Sequence, residues 1–140
     1  MACPYFYPVE RVRTDPWAGG PRMPLGAEYR GLCRAEAAAE REPGEETRSA
    51  CCNSGYARGA CEFFPAGGGP DAVRLSMLPG AGQDGRFVLV LEKEHSPAGV
   101  WRFEYRDGEL HGEFPDATAR RQATVFAEQF GRGPRGLAQA

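Results

Sequence analysis

The chain has 140 residues, 41% of them hydrophobic, and a formal net charge of −2 because 17 Lys and Arg nearly balance 19 Asp and Glu. This length predicts one domain, and scattered arginines with a single lysine form no basic stripe, which disfavours nucleic acid as a partner. The longest purely apolar run, residues 87–91, is too short to cross a bilayer, so no membrane partner is expected.

The first half of the chain, residues 1–70, carries all five cysteines and most of the prolines but no long periodic segment. Residues 16–24 are expected to be irregular. Residues 36–42 are predicted to form a helical turn, and residues 45–52 a short helix that ends at Asn53 or Gly55. The first eight residues have neither a basic start nor a long apolar stretch, so no signal peptide is expected.

The second half has clear strand patterns. Residues 72–78 alternate as in a half-buried strand, and residues 79–82 predict a turn. Residues 86–94 are apolar on both faces, which is typical of a central strand. Residues 96–99 predict the next turn. In residues 100–106 the side chains of Trp101, Phe103 and Tyr105 share one face, which predicts a stripe of core residues.

Asp107-Gly108 predicts a tight hairpin, because both central residues of a type I′ turn need positive φ, and residues 109–114 would form the returning strand. A helix follows, capped by Asp116. Its apolar stripe is expected to consist of Ala119, Ala123, Phe126 and Phe130. Gly131 suits the helix end, and residues 132–140 are expected to be a disordered tail.

These patterns predict an α+β fold. An irregular, loop-rich and metal-tied N-terminal half would pack on a small antiparallel sheet of three or four strands with a C-terminal helix. We expect residues 1–140 to form a single domain, which consists of a cysteine-bearing half (residues 1–70), the sheet and helix (residues 71–131) and the tail (residues 132–140).

The cysteines are the main functional signal. Without a signal peptide, a cytoplasmic location is expected, and cysteines in a reducing compartment are typical of metal binding or catalysis rather than of disulfides. Their odd number also argues against a closed disulfide set. An adjacent Cys51–Cys52 disulfide would be strained, and the chain has no C-x-x-C redox pair. The cysteines are Cys3, Cys33, Cys51, Cys52 and Cys61.

Four thiolates are what an iron–sulfur cluster needs. We predict that Cys3, Cys33, Cys52 and Cys61 bind it, with Cys51 as the alternative to Cys52, because neighbouring side chains on a helix point about 100° apart. A hydrophobic shell stabilises such clusters, and aromatic residues surround the cysteines in sequence. These aromatic residues are Tyr5, Phe6, Tyr7, Tyr56, Phe63 and Phe64.

Gly55 and Gly59 flank the loop into Cys61, where they would let backbone N–H groups approach the sulfides. A [4Fe–4S] cluster is favoured. Zinc is the main alternative, held by four cysteines or by three cysteines with His95 or His111, although paired cysteines a few residues apart are absent. Five reduced cysteines buried as small hydrophobic residues are a further alternative.

Three sequence strings resemble a group of small bacterial proteins with a shared cysteine motif and no settled activity. The resemblance implies that Cys3, Cys33, Cys52 and Cys61 act as a set, and it implies no function. The strings are Cys3-Pro4-Tyr5-Phe6, then Leu25-Gly26 with Tyr29-Arg30-Gly31 and Cys33, and then Cys52-Asn53-x-Gly55-Tyr56-Ala57-x-Gly59-x-Cys61 with Phe64-Pro65.

Two functional hypotheses follow. The first is a small iron–sulfur protein that carries electrons or senses redox state and acts with a redox or protein partner that the sequence does not identify. The second is a structural zinc-binding module that contacts another protein. An enzyme is not expected, because four protein thiolates would leave no open position on the metal.

Overall fold

The computed structural model describes residues 1–12, 24–25, 28–35, 40–78 and 85–130. The fold is α+β, as predicted, with two antiparallel sheets and a C-terminal helix. The strands are β1 (Phe6–Arg11), β2 (Tyr29–Cys33), β3 (Ala72–Met77), β4 (Gly85–Lys93), β5 (Ser96–Arg106) and β6 (Glu109–His111), and the helices are α1 (Glu45–Thr47) and α2 (Ala117–Phe130). No helix in the described ranges is long and apolar enough to cross a membrane.

The larger sheet has the strand order β3-β4-β5-β6. The prediction that β4 is a central strand is confirmed, since β4 pairs with β3 on one side and β5 on the other. Phe87 and Leu89 are fully buried on the face that meets α2, whereas Val88 and Val90 on the opposite face are half-buried. The apolar run of β4 is therefore explained mainly by one fully covered face.

The predicted turn at residues 96–99 is wrong, because these residues begin β5. The turn lies at Glu94 and His95, which have φ of 51° and 65°, and Lys93 pairs with Ser96 across it. Two successive positive φ values fit the right-handed twist of a tight hairpin. Pro97 is tolerated inside β5 because β6 pairs only with the far end of that strand, which leaves Pro97 at a sheet edge.

The hairpin predicted at Asp107-Gly108 is confirmed, with φ of 54° and 76° at these two residues. The returning strand is shorter than predicted and ends at His111. The strand predicted at residues 72–78 is confirmed as β3, whereas the turn predicted at 79–82 lies outside the described residues.

Helix α2 covers the apolar face of the larger sheet. Asp116 caps it, since its Oδ1 accepts a hydrogen bond from the Ala119 N–H at 2.7 Å. Ala119, Ala123 and Phe126 are buried against the sheet, and the Phe126 ring meets the Phe87 ring edge-on with centroids 5.9 Å apart. The predicted stripe is thus confirmed at these three positions. The Phe130 side chain, Gly131 and the tail 132–140 lie outside the described residues.

The N-terminal half contains a second sheet that the sequence did not predict, formed by β1 and β2. The alternation in β1 is short and is interrupted by Pro8 and by a bulge between Pro8 and Glu10, so its period-2 signal is weak. The segment before β1 is attached to the larger sheet, because Ala2 exchanges two hydrogen bonds of 2.8 Å with Val73 of β3.

The segment before the paired cysteines is helical, as predicted. Helix α1 continues into a π-helical turn, Arg48–Cys52, which ends at Asn53. In the predicted helical turn at 36–42, residues 40–42 are not helical, because Arg41 pairs with Cys33 in a short bridge. Residues 36–39, and most of the predicted irregular stretch 16–24, lie outside the described residues.

Candidate metal centre

All five cysteines line one cavity in the N-terminal half. Cys3, Cys51 and Cys52 are buried, whereas Cys33 and Cys61 are half-buried and lie nearer to solvent. The cysteines come from three separate stretches of the sequence, at residue 3, at residue 33 and within residues 51–61. The fold therefore brings together every thiol in the chain, including both members of the adjacent pair.

Cys3 is held by backbone hydrogen bonds on both of its sides. Its N–H donates to the Cys52 carbonyl at 3.1 Å, and its own carbonyl accepts from the Phe6 N–H at 3.1 Å. The carbonyl of Cys3 also accepts a hydrogen bond of 2.8 Å from the buried side-chain amide of Gln122 in α2. These bonds place the Cys3 side chain on one wall of the cavity, directly beside the paired cysteines.

Cys33 ends β2 and lies opposite the Cys3 turn. The Cys33 N–H donates to the Arg41 carbonyl at 2.7 Å, and the following residue, Arg34, donates its N–H to the Tyr5 carbonyl at 2.8 Å. Cys33 and Arg34 are therefore hydrogen-bonded to two other segments of the chain, and these bonds hold the Cys33 backbone at the cavity.

Cys51 and Cys52 occupy the π-helical turn, and Asn53 anchors this turn to β2. The side chain of Asn53 accepts a hydrogen bond from the Tyr29 N–H and donates one to the Tyr29 carbonyl, both at 3.1 Å. Asn53 is completely buried, so these bonds satisfy polar groups that water cannot reach. Both cysteines line the cavity, and the choice of Cys52 rather than Cys51 as the ligand stays a prediction.

Cys61 lies on a turn in which its N–H donates to the Ala57 carbonyl at 2.7 Å. Arg58 supports the loop that follows. Its guanidinium pairs with Asp71 at 2.7 Å and donates to the carbonyl oxygens of Gly67 and Gly69 at 2.9 and 3.1 Å. The loop is thereby attached to the start of β3.

Aromatic rings form much of the remaining cavity wall. Tyr5, Phe6, Phe63 and Phe64 line it, whereas Tyr7 and Tyr56 are not among the lining residues. The Tyr5 and Phe64 rings meet edge-on with centroids 5.4 Å apart. The guanidinium of Arg41 lies 3.8 Å from the centroid of the Phe63 ring. The thiols therefore face a largely apolar wall that also contains Arg41.

Burial shifts the acidity of the deepest thiols. It raises the pKa of Cys3 from an ordinary value of 9.0 to about 12, and neighbouring cysteines add to this rise. Burial also raises the pKa of Cys52 and of Cys51. Thiolates close to one another repel, so the metal-free site favours neutral thiols. A bound cation would reverse this preference, because it stabilises the thiolates and releases their protons.

The sulfur atoms share the cavity without forming a closed coordination shell. Among the described residues, no group of three or more His, Cys, Asp or Glu side chains is placed so that it could hold a metal ion. Binding of a metal would therefore require some of the cysteine side chains to turn.

Neither histidine lines the cavity in the described part of the chain. His95 lies on the β4–β5 turn, is exposed, and stacks on the Tyr56 ring with centroids 4.4 Å apart. His111 is exposed at the end of β6. Within the ranges that the structure describes, the candidate ligands at the cavity are thiols.

Three residues that organise the site were not predicted: Asn53, Arg58 and Gln122. For Gln122 a signal existed, because it is a polar residue at helical spacing from the apolar positions Ala119 and Val125. A buried amide on an apolar helix face needs a partner, and its partners here are the Cys3 and Phe6 carbonyls.

No family model, curated protein sequence or solved structure matches this chain. The resemblance of the cysteine strings to small bacterial proteins stays a prediction. The residues of the cavity are therefore the basis for a functional conclusion.

Proposed function

We propose that the protein binds an iron–sulfur cluster through the thiolates of Cys3, Cys33, Cys52 and Cys61 and serves as an electron carrier or redox sensor. The observation that carries this proposal is the convergence of five cysteines from three separate stretches of the sequence on one cavity. Packing as small hydrophobic residues accounts for Cys3 and Cys52, which belong to a hydrophobic cluster, but not for the half-buried Cys33 and Cys61 at the same cavity.

The donor set and its surroundings favour a cluster. Iron–sulfur clusters of the [2Fe–2S] and [4Fe–4S] types take four cysteine thiolates, and the cavity offers thiols as its candidate ligands. The rings of Tyr5, Phe63 and Phe64 would limit access of solvent, which influences both the potential and the lifetime of a cluster. We favour [4Fe–4S]. Because four protein thiolates leave no open position on the metal, we do not propose an enzymatic reaction.

The second candidate is a structural zinc site in a protein-interaction module. Thiolates are also good zinc ligands, and one ion would tie together the β1–β2 sheet, the π-helical turn and the loop that carries Cys61. Since both histidines lie away from the cavity, this form would use four cysteines.

The setting that suits either metal is the reducing cytoplasm, where thiols stay available as ligands. The partner of this protein would be a redox protein or another protein, rather than nucleic acid or a membrane. The near balance of 17 basic and 19 acidic residues supports this proposal, because it provides no excess of positive charge for phosphates.

The test is purification without oxygen, followed by measurement of iron, acid-labile sulfide and zinc per chain. We expect a brown protein with visible absorption that dithionite bleaches. A colourless protein with one zinc per chain would favour the second candidate, and a protein that takes up neither metal would overturn both. Cys61→Ser serves as the control, because loss of one thiolate should abolish the absorption. Exposure to oxygen should lower the iron content before it lowers the sheet content seen by circular dichroism.

A further inference from the structure

The cavity holds one thiol more than a four-thiolate centre uses. Cys51, which the proposed ligand set leaves out, lines the same cavity as the other four cysteines. Cys61, which is one of the proposed ligands, lines it as well. Burial raises the pKa of the Cys51 thiol and Cys61 adds to the rise, so these two thiols lie near each other in the shared cavity.

We propose that Cys51 and Cys61 are a redox modification site: oxidation by a peroxide joins them in a reversible disulfide that removes Cys61 from the ligand set. The disulfide is a property of the two thiols alone, whereas its effect on the metal rests on the proposed function. Loss of one of four ligands would release the metal centre.

The two cysteines differ in access in the way this reaction requires. Cys61 is half-buried and is the first to meet an oxidant from solvent, whereas Cys51 is only 6% exposed. The Cys61 thiolate attacks one peroxide oxygen, the O–O bond breaks, and a sulfenic acid and a hydroxide form. The Cys51 sulfur then attacks the sulfenic sulfur, forming the S–S bond and expelling the hydroxyl group. With the thiol protons, both oxygens leave as water, so two thiols and one hydrogen peroxide give one disulfide and two waters.

The alternative pairings are less suitable. A Cys51–Cys52 disulfide joins adjacent residues and is strained. Cys33 ends β2, where it pairs with Phe6 of β1 and with Arg41, and Cys3 is buried and so less open to an oxidant than Cys61. Cys61 lies on a hydrogen-bonded turn outside the strands, where rotation of its side chain can bring the two sulfur atoms to a covalent bond length of about 2 Å.

The sequence allows this pair to be identified by peptide mapping. Cleavage after arginine separates residues 49–58, which contain Cys51 and Cys52, from residues 59–74, which contain Cys61. Cys3 and Cys33 lie on other fragments. A Cys51–Cys61 disulfide links the two fragments, whereas a Cys51–Cys52 disulfide leaves them separate.

The experiment uses the full-length, reduced, metal-free protein treated with hydrogen peroxide, alkylated and then cleaved with trypsin. We expect the linked pair of fragments, which dithiothreitol separates. The linkage between the two fragments should persist in the Cys52→Ser variant. It should be lost in the Cys51→Ser variant, where a dione reagent that traps sulfenic acids should label Cys61. Fragmentation of the linked wild-type peptides assigns the sulfur even if a variant fails to fold. Linkage through Cys52, or oxidation of Cys61 without any linkage, would overturn the proposal. Because no metal is present, this result is independent of whether the proposed metal centre exists.

Discussion

The side-chain amide of Gln122 donates a hydrogen bond of 2.8 Å to the backbone carbonyl of Cys3, and a second one of 2.7 Å to the carbonyl of Phe6. Gln122 is completely buried in α2, 119 residues after Cys3 along the chain. The C-terminal helix thus fixes the backbone turn that presents the first cysteine to the cavity. This link between distant segments makes the geometry of the candidate centre depend on packing of α2.

Gln122→Leu should lower the free energy of unfolding by about 1–3 kcal/mol, because buried carbonyl oxygens lose their donor. The measurement is denaturant unfolding of both proteins under reducing conditions. Gln129→Leu is the matched control on the same helix, since the Gln129 amide makes only a long contact of 3.4 Å with the Tyr29 hydroxyl. Equal losses in the two variants would show that the Cys3 turn does not depend on Gln122.

The ligand assignment predicts different outcomes for single serine variants. Cys33→Ser and Cys61→Ser should lose the metal and much of the fold, since a missing thiolate both weakens binding and removes a connection between segments. Cys51→Ser should keep both. The measurements are metal per chain and thermal unfolding after anaerobic purification. If Cys51→Ser alone strips the metal, then Cys51 rather than Cys52 is the ligand.

The metal-free protein should lose stability as the pH rises above about 9. The pKa of Cys3 is raised by burial from 9.0 to about 12, so between these values the unfolded chain releases a proton that the folded chain keeps. Fewer protons are then bound in the unfolded state, and stability falls with pH. The raised pKa of Cys52 acts in the same direction.

This pH dependence can be measured by urea unfolding between pH 7 and 11 in reductant without oxygen. Cys3→Ala should show a smaller decrease over the same range. Metal uptake should have the opposite dependence and become tighter with rising pH, because it releases thiol protons. A metal-free protein whose stability increased between pH 9 and 11 would contradict the prediction.

Two glycines with left-handed backbone provide a matched pair of variants. Gly55 and Gly59 have φ of 75° and 85°, so alanine at either position should cost about 1–2 kcal/mol of strain. At Gly55 an added Cβ would also lie 3.2 Å from the carbonyl oxygen of Ala2, whereas at Gly59 it meets nothing within 4 Å.

We therefore expect Gly55→Ala to lower the unfolding free energy more than Gly59→Ala does, and to disturb the pairing of Ala2 with Val73. Denaturant unfolding gives the first quantity, and amide hydrogen exchange at Ala2 and Val73 tests the second. A larger loss at Gly59 would mean that backbone strain, and not the close approach to Ala2, controls this loop.

Local chemistry was sufficient to predict the second half of the fold. The alternation of Trp101, Phe103 and Tyr105, the Asp107-Gly108 turn and the Asp116 cap each depend on residues a few positions apart, so the sequence contains their whole cause. The Glu94-His95 turn was missed because Pro97 and Gly99 give a stronger local turn signal. Pairing of Lys93 with Ser96 overrides that signal in the folded sheet.

The sequence by itself determined that all five cysteines lie in the first half of the chain, and that the second half would form a sheet under a helix. Only the tertiary structure decided that Cys51 and Cys52 both line the cavity and that Gln122 and Asn53 hold its walls. The physical reason is that spacing along the chain constrains a contact only over a few residues. Contacts such as that of Cys3 with Gln122 form when whole elements pack. The helical spacing of Gln122 indicates a buried amide, but nothing in the local sequence indicates which carbonyl groups it meets.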